Sequence, residues 1–192
     1  MRTLTILFSC IIFLQCSTDR TIASISPEEE IKLKKFQELD SQNKLSITEP
    51  NEPGEKLILC VTFIDKTTKI ALSNQQVSFY HASTKGEYEP LVPNDETTSR
   101  LNGTAKTDKH GKIYIMTILP GDYGSTKNNR HIHTTVHGAK PEAYDVFFKQ
   151  YSGRIGNFMN SGNNQMFYTT LKKTVDNILV CFVTIEVKKP IQ

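Results

Sequence analysis

The sequence predicts an all-β sandwich, and three of its features support that prediction. Six segments are rich in β-branched and aromatic residues and have the length and apolar pattern of strands. These segments are residues 57–64, 76–80, 113–118, 131–136, 143–148 and 179–187. Clusters of Gly, Pro, Asn and Asp separate them, and helical periodicity is almost absent after residue 54. Short, mostly antiparallel strands with long surface loops, packed as two sheets, account for this pattern best.

A single short helix is predicted before the strands. Ser26 followed by Pro27 and Glu29 has the spacing of a capping box with proline at the first helical position. A narrow apolar stripe continues from there to Leu39. Because the stripe is narrow, we expect the helix to lie outside the core of the domain.

The chain divides into three segments. Residues 1–15 have a positive start, an apolar centre and a polar end, which is the layout of a signal peptide. Residues 16–54 read as a tether that includes the helix, with a polar linker over 40–54. Residues 55–192 form the third segment, a β-sandwich domain long enough to bury a single core. Because of the signal-peptide layout of residues 1–15, we expect an extracytoplasmic protein, either secreted or held at the cell envelope as a lipoprotein.

The cysteines leave two questions open: whether Cys16 is lipidated, and whether Cys60 and Cys181 form a disulfide. The stretch 13–16 resembles a lipoprotein cleavage box, in which a lipid on Cys16 would attach the protein to a membrane. Plain cleavage between Cys16 and Ala23 is the alternative. Cys60 and Cys181 lie in apolar strand-like runs, where either a disulfide or two buried thiols would fit.

The charge balance excludes one class of partner. The 192 residues include 23 Lys and Arg and 20 Asp and Glu, which gives a formal net charge of +3. A chain so nearly neutral lacks the basic footprint that nucleic-acid binding requires, so no nucleic acid is expected as a partner. Nothing in the sequence specifies an oligomeric state.

The sharpest chemical signal is the sequence His131-Ile132-His133. In a strand, residues i and i+2 project from the same face about 7 Å apart, so both imidazoles can reach one metal ion. The remaining histidines are expected to face solvent or to pack within the fold: His81, His110 and His137.

Three further motifs precede the histidine pair, and together the four occur in a familiar order. They are Gly86-Glu87-Tyr88, the stretch Thr-Asp-Lys-His-Gly-Lys-Ile at 107–113, Pro120-Gly121-Asp122-Tyr123, and His131-Ile132-His133. The arrangement resembles the intradiol ring-cleavage dioxygenases, the catechol and protocatechuate type with non-haem Fe(III). The resemblance covers roughly residues 53–150, and Ile113 departs from it because the family often has Tyr there.

The resemblance implies an iron site with two catalytic tyrosines. Its ligands to Fe(III) would be Tyr88, Tyr123, His131 and His133. Phenolate oxygens are hard anionic donors that favour the ferric ion, and two neutral imidazoles complete the set. In such a site Tyr123 would dissociate when the substrate binds, whereas Tyr88 would stay bound. The sequence has no Asp or Glu beside the histidine pair, so it does not match oxygenases whose iron is held by two histidines and one carboxylate.

The activity implied by the resemblance is cleavage of a catechol-like aromatic by O₂ between its two hydroxylated carbons, with iron as a Lewis acid. Two positions depart from the family pattern, since Asn128 replaces an Arg and Asp145 replaces a Gln, and both of those groups help to stabilise the activated substrate. The alternatives are a non-catalytic iron- or aromatic-binding envelope protein and a structural envelope module. Substrate specificity is expected to come from the loops at 90–103 and 152–165.

Overall fold

The computed structural model describes residues 20–125, 127–152 and 165–188. The predicted signal peptide at 1–15 and Cys16 lie outside the described residues, as does most of the predicted loop at 152–165. Within the described ranges, no helix is both long enough and apolar enough to span a bilayer.

The predicted all-β sandwich is confirmed. One sheet has the strand order β1-β5-β2-β10-β9 and is called the first sheet; the other has the order β4-β3-β6-β7-β8 and is called the second sheet. The elements are α1 Pro27–Gln37, β1 Lys44–Ser46, β2 Lys56–Asp65, β3 Gln76–His81, β4 Leu101–Lys106, β5 Lys112–Ile118, β6 His131–Val136, β7 Ala143–Phe148, β8 Met166–Thr169, β9 Lys172–Lys173 and β10 Leu179–Val187. Short 3₁₀ helices occupy Ser41–Asn43, Glu96–Thr98 and Lys149–Tyr151.

Each predicted strand corresponds to an observed one, and the core lies between the two sheets. Side chains alternate along each strand, so one set faces the opposite sheet and the other faces outward. In β6 the inward set includes Ile132 and Val136, both fully buried, and the outward set contains the two histidines. Phe79 and Phe148 of the neighbouring strands are buried in the same core cluster. The period of two thus directs both imidazoles away from the apolar interior.

The helix lies outside this core, as expected. The Ser26 side chain accepts a hydrogen bond from the Glu29 backbone N–H, and the Glu29 carboxylate accepts one from the Ser26 N–H, which completes the capping box. Leu33 and Phe36 are buried against the outer face of the first sheet, where they contact a cluster that includes Tyr114. The helix therefore covers a second, smaller apolar cluster.

The predicted linker needs a correction, because part of it belongs to the sandwich. Residues 44–46 form β1, which pairs in parallel with β5 at the edge of the first sheet. Leu45 packs against the main core, and the Glu52 carboxylate accepts two hydrogen bonds from the Arg100 guanidinium, at 2.8 and 2.9 Å. Without β1, the edge of β5 would have unpaired backbone groups, and β1 pairs with them while partly burying Leu45.

A disulfide between Cys60 and Cys181 is excluded by the alternation of side chains. Both thiols are free and buried within the described part of the chain. Cys60 belongs to the cluster beneath the helix, whereas Cys181 belongs to the core between the sheets, so the thiols lie on opposite faces of the first sheet. Burial raises the pKa of both thiols, which makes them poor nucleophiles.

His81 is a fully buried histidine, and it gives the fold a testable pH dependence. Nδ1 donates to the Ala82 carbonyl at 2.8 Å, and Nε2 accepts from the Thr117 hydroxyl at 2.6 Å. Burial lowers the pKa of His81 from 6.5 to about 4. The unfolded chain therefore binds a proton that the folded chain does not, and stability should fall as the pH drops from 6.5 towards 4. Between pH 7 and pH 5 this group should remove about 2 kcal/mol of unfolding free energy.

Urea unfolding of the wild type and of His81→Asn at several pH values measures this effect. The variant should be less stable at pH 7 and should lose less stability on acidification. If the unfolding free energy of the two proteins changed equally with pH, the lowered pKa of His81 would be contradicted.

Candidate metal centre

The outer face of the second sheet aligns the predicted ligands with three neighbouring side chains. His131 and His133 both project from this face and are half-buried. The strand register sets Tyr80 of β3 and Asp145 of β7 directly opposite His133, one on each side. Phe147 of β7 lies opposite His131. Each imidazole therefore has fixed neighbours on adjacent strands.

His131 is held by one hydrogen bond and one ring contact. Its Nδ1 lies 2.5 Å from the backbone oxygen of Asn129 and donates to it. Its ring stacks on Phe147, with the centroids 4.8 Å apart and the planes 20° from parallel. Burial lowers the pKa of His131, which favours the neutral imidazole. A neutral ring with Nδ1 protonated leaves the Nε2 lone pair available.

His133 is held in the same manner from the other side. Its Nδ1 donates to Asp145 Oδ1 at 2.8 Å, and its ring stacks on Tyr80 with the centroids 4.5 Å apart. A carboxylate on Nδ1 fixes the tautomer and the orientation of the ring, as outer carboxylates do for metal-binding histidines. The two neighbours thus orient His133 Nε2 outward from the sheet.

Three donor atoms converge at one point. His131 Nε2 and His133 Nε2 are 3.0 Å apart, and the Tyr88 hydroxyl is 2.8 Å from His133 Nε2. Because each Nδ1 donates to an acceptor, both Nε2 atoms are left as acceptors. The Tyr88 hydroxyl can donate to His133 Nε2, but the two nitrogens still place lone pair against lone pair, a repulsion that a bound cation would relieve. Nitrogens bound to one metal at a right angle are about 3 Å apart. The arrangement therefore fits a metal ion.

Two glycines bring the tyrosine loops together. Gly86 has a φ of +80°, and a Cβ there would lie 1.9 Å from the Asp122 carbonyl oxygen. A Cβ at Gly121 would lie 2.3 Å from the Thr84 carbonyl oxygen. Only residues without side chains allow the two backbones to touch in this way. The glycines in both tyrosine motifs thus have a packing role.

Tyr123 lies beside this point with its hydroxyl bonded elsewhere. Its ring meets the Tyr88 ring edge-on with the centroids 5.0 Å apart, and it is 41% exposed. Its hydroxyl donates to Glu96 Oε1 at 2.6 Å. The structure therefore brings three of the four predicted ligands into contact, and the ring of the fourth packs against that of Tyr88. Sequence reasoning missed Glu96, because one acidic residue in a polar loop gives no signal.

The phenol groups are protonated in the absence of a metal. Burial raises the pKa of Tyr88, and the hydrogen bond to Glu96 raises the pKa of Tyr123. A phenolate at either position therefore needs a compensating positive charge nearby, such as a bound cation. Without a metal, the local environment therefore disfavours a negatively charged phenolate at Tyr88 or Tyr123.

The type of donor narrows the choice of metal. Within the described ranges, no group of three or more His, Cys, Asp or Glu side chains could hold a metal ion. The Asp145 carboxylate bonds to Nδ1 of His133, on the side of the ring away from the converging donors. The available set is two imidazoles and two phenols, which suits a hard, highly charged ion such as Fe(III).

The positions that depart from the family pattern have other partners here. Asn128 accepts a hydrogen bond from the Arg20 guanidinium at 2.5 Å. The guanidinium of Arg130 lies over the Tyr151 ring at 4.1 Å, and its Nε is 3.7 Å from Asp122. Asp145 bonds to His133 as described above. The remaining histidines pack within the fold or face solvent, as expected: His81 is buried, and His110 and His137 are exposed.

Replacing Asp145 should weaken metal retention without unfolding the protein. Asp145→Asn keeps the size of the side chain but removes the charge that fixes the His133 tautomer, so iron affinity should fall about tenfold or more. Competition with a chelator measures this change, and Asp176→Asn, in an exposed turn, is the control. Equal affinities for both variants and the wild type would contradict the role of Asp145.

Comparison with known proteins identifies the family to which the fold belongs. A family model described as Dioxygenase matches residues 33–183. No curated protein is similar enough to match this chain.

Several solved structures share the fold. The dioxygenase domain of a carbohydrate-binding fusion protein from Streptomyces sp. SirexAA-E is 18% identical, with a TM-score of 0.55 over 78% of this chain and 92% of that one. A 3-chlorocatechol 1,2-dioxygenase from Rhodococcus opacus 1CP is 17% identical, with a TM-score of 0.57 over 79% and 67% of the two chains. An intradiol ring-cleavage dioxygenase from Tetranychus urticae is 16% identical, with a TM-score of 0.54 over 80% and 91%. Since the family model spans most of the sequence, the chain belongs to the dioxygenase family, that of the intradiol ring-cleavage enzymes.

Proposed function

We propose that the protein is a non-haem Fe(III) intradiol dioxygenase, which uses O₂ to cleave a catechol-like aromatic between its two hydroxylated carbons. The observation that supports this most strongly is the convergence of His131 Nε2, His133 Nε2 and the Tyr88 hydroxyl, with the Tyr123 ring 5.0 Å from that of Tyr88. The sandwich fold by itself does not require these donor atoms to converge, so their convergence supports a metal-dependent function.

In this proposal the four residues have distinct tasks. His131, His133 and Tyr88 would hold the iron from one side, and their neighbours on adjacent strands keep the rings in place. When bound, Fe(III) supplies a Lewis acid that withdraws electron density from a catechol and activates its ring. The chain itself has to orient the substrate and accept its hydroxyl protons.

Tyr123 and Glu96 form a solvent-exposed hydrogen bond in this arrangement. Tyr123 is exposed and its hydroxyl donates to the Glu96 carboxylate, so a change of its side-chain position towards a bound metal would not disturb the core. As a ligand Tyr123 would be a phenolate, and its free hydroxyl would need a proton, for which a catechol hydroxyl is the available donor. Glu96 then stabilises the protonated phenol by accepting its hydrogen bond, as it does in this structure.

Glu96→Gln should lower the pKa of Tyr123 towards that of an ordinary tyrosine. The carboxylate raises this pKa by accepting a hydrogen bond from the protonated hydroxyl, and a neutral amide does so more weakly. Ultraviolet titration of metal-free protein should reveal one tyrosine that ionises at lower pH in Glu96→Gln. The change should be absent when Tyr123→Phe is added. Identical titration curves for Glu96→Gln and the wild type would contradict the contact.

Iron analysis together with oxygen uptake tests the proposed function. Purified protein comprising residues 17–192 should bind about one Fe(III) per chain and show visible tyrosinate-to-iron absorption. Addition of catechol should change that spectrum, and oxygen consumption should accompany formation of a ring-opened diacid. A protein that binds iron and catechol but consumes no oxygen would instead support the second candidate.

The second candidate function is a non-catalytic iron- or aromatic-binding protein of the cell envelope. Two observations favour it: Asn128 bonds to Arg20, and Asp145 is engaged with His133, so neither supplies the group that the family has there. We further propose an extracytoplasmic location on the signal-peptide pattern of residues 1–15. Incorporation of labelled lipid by the wild type but not by Cys16→Ser would establish attachment through Cys16.

A further inference from the structure

A cavity of about 320 Å³ lies on the same outer face of the second sheet as the histidine pair, and most of its lining residues have polar side chains. They come from three adjacent strands and from Thr97, which follows Glu96. The lining residues used below are Ser78 and Tyr80 of β3, Thr104 of β4, Thr135 and His137 at the end of β6, and Thr97. We propose that this cavity binds a neutral, polyhydroxylated substituent, such as a glycosyl group, on the aromatic substrate.

The strand register sets the distance between the cavity and the metal centre. Thr135 follows His133 by two residues on the same face of β6, so the two side chains are about 7 Å apart. On β3, Ser78 lies opposite Thr135 and Tyr80 lies opposite His133. The cavity therefore begins one side-chain row beyond the imidazoles. A substituent on a catechol bound at the metal centre would extend towards this cavity, whereas catechol itself has no group to place there.

Tyr80 belongs to both sites. One face of its ring stacks on His133, with the centroids 4.5 Å apart, and the side chain also lines the cavity. A second shared element is the loop at 96–97, because Glu96 accepts from the Tyr123 hydroxyl while Thr97 lines the cavity. A substrate that occupied both sites would touch the same ring and the same loop, which makes them parts of one binding surface.

The chemistry of the lining favours hydroxyl groups. Ser78 Oγ is 2.7 Å from Thr104 Oγ1 and 2.7 Å from His137 Nε2, so these three side chains form a connected hydrogen-bonding chain. Hydroxyls and an imidazole can each donate or accept, which matches the mixed donors and acceptors of a sugar. An aromatic ring beside such groups adds the apolar surface that sugar C–H groups contact.

The lining also disfavours ionised substituents. Among the described residues that line the cavity, none is Lys, Arg, Asp or Glu. A carboxylate or phosphate on the substrate would lose its hydration there without gaining an ion pair, which is unfavourable. A neutral, hydroxyl-rich group exchanges hydrogen bonds with water for equivalent ones with the protein. The lining residues of the cavity thus favour an occupant that is neutral and rich in hydroxyl groups.

This inference rests on the proposed function, and paired probes test it. The affinity of the iron-loaded protein is measured for 4-methylcatechol and for a catechol whose ring carbon 4 bears a glucosyl group on a short linker. We expect the glucosylated probe to bind about tenfold more tightly, since a few added hydrogen bonds give that factor. Ser78→Ala and His137→Ala should abolish the preference and leave the affinity for 4-methylcatechol unchanged. His110→Ala, an exposed histidine in a turn, is the matched control.

Equal affinity of the wild type for the two probes would overturn the inference, as would equal losses for both probes in the variants. If the protein binds no catechol, the proposed function fails, and a metal-free titration decides the cavity separately. Methyl β-D-glucopyranoside should then shift the backbone amide signals of Gly103 and Thr135 in the wild type but not in His137→Ala. The absence of such shifts in the wild type would overturn the inference.

Discussion

His133→Ala should strongly weaken iron binding while leaving the sandwich folded. His133 Nε2 lies within 3.0 Å of both other converging donor atoms, and its ring is the only part of the side chain that reaches them. Removal of one ligand should lower iron affinity by roughly 100-fold or more, beyond the losses that outer partners of a ligand produce. Iron content per chain and visible absorption measure the change.

The control for this experiment is His110→Ala. His110 is exposed in the turn before β5, so its replacement removes a histidine without touching the donor cluster. His133 is half-buried on the outer face of its sheet, so its truncation leaves the inward core residues of β6 in place. We expect near-wild-type unfolding temperatures for both variants. Full iron content in folded His133→Ala would refute the assignment of the metal centre.

Gly86→Ala should destabilise the protein and separate the two tyrosine loops. A Cβ at this position would lie 1.9 Å from the Asp122 carbonyl oxygen, and the φ of +80° adds the strain of a left-handed backbone. Backbone cannot yield as a flexible side chain does, so the loop that ends in Tyr88 must move away from the loop that ends in Tyr123. The loss of stability should be about 3 kcal/mol or more. Thermal unfolding should therefore shift down by about 6–12 °C.

Gly138→Ala is a matched control for this substitution. Gly138 has a φ of +79°, almost the same as Gly86, but a Cβ there has no atom within 4 Å. It therefore isolates backbone strain, which should cost about 1 kcal/mol. Iron content should fall in Gly86→Ala and stay unchanged in Gly138→Ala. Equal destabilisation by the two substitutions would mean that the contact between the loops does not matter.

Several parts of the fold and site follow from local sequence. The six predicted strands agree with β2, β3, β5, β6, β7 and β10 because each has a period-two or fully apolar pattern. The capping box at Ser26 likewise predicted the start of α1. The spacing of His131 and His133 predicted that both imidazoles face one side of a strand, because alternation in a strand is a local property.

Other parts depended on contacts between distant residues. β1 is short and polar, and only the free edge of β5 makes it a strand. Asp145 was identified as a departure from the family pattern, yet its role as the partner of His133 follows from the register between β6 and β7. Glu96 lies 27 residues before Tyr123, and no sequence pattern connects them. The two cysteines are separated by the sheet itself.

The sequence by itself determined the sandwich, the placement of both histidines on one face of a strand, and the family, because these depend on periodicity and on the order of motifs. Only the tertiary structure decided how closely the donors approach one another and which side chains support them. It brought the Tyr88 hydroxyl to 2.8 Å from His133 and bonded Tyr123 to Glu96. Strand register and the contact of two glycine loops fix such distances, and both arise only when segments far apart in sequence pack together.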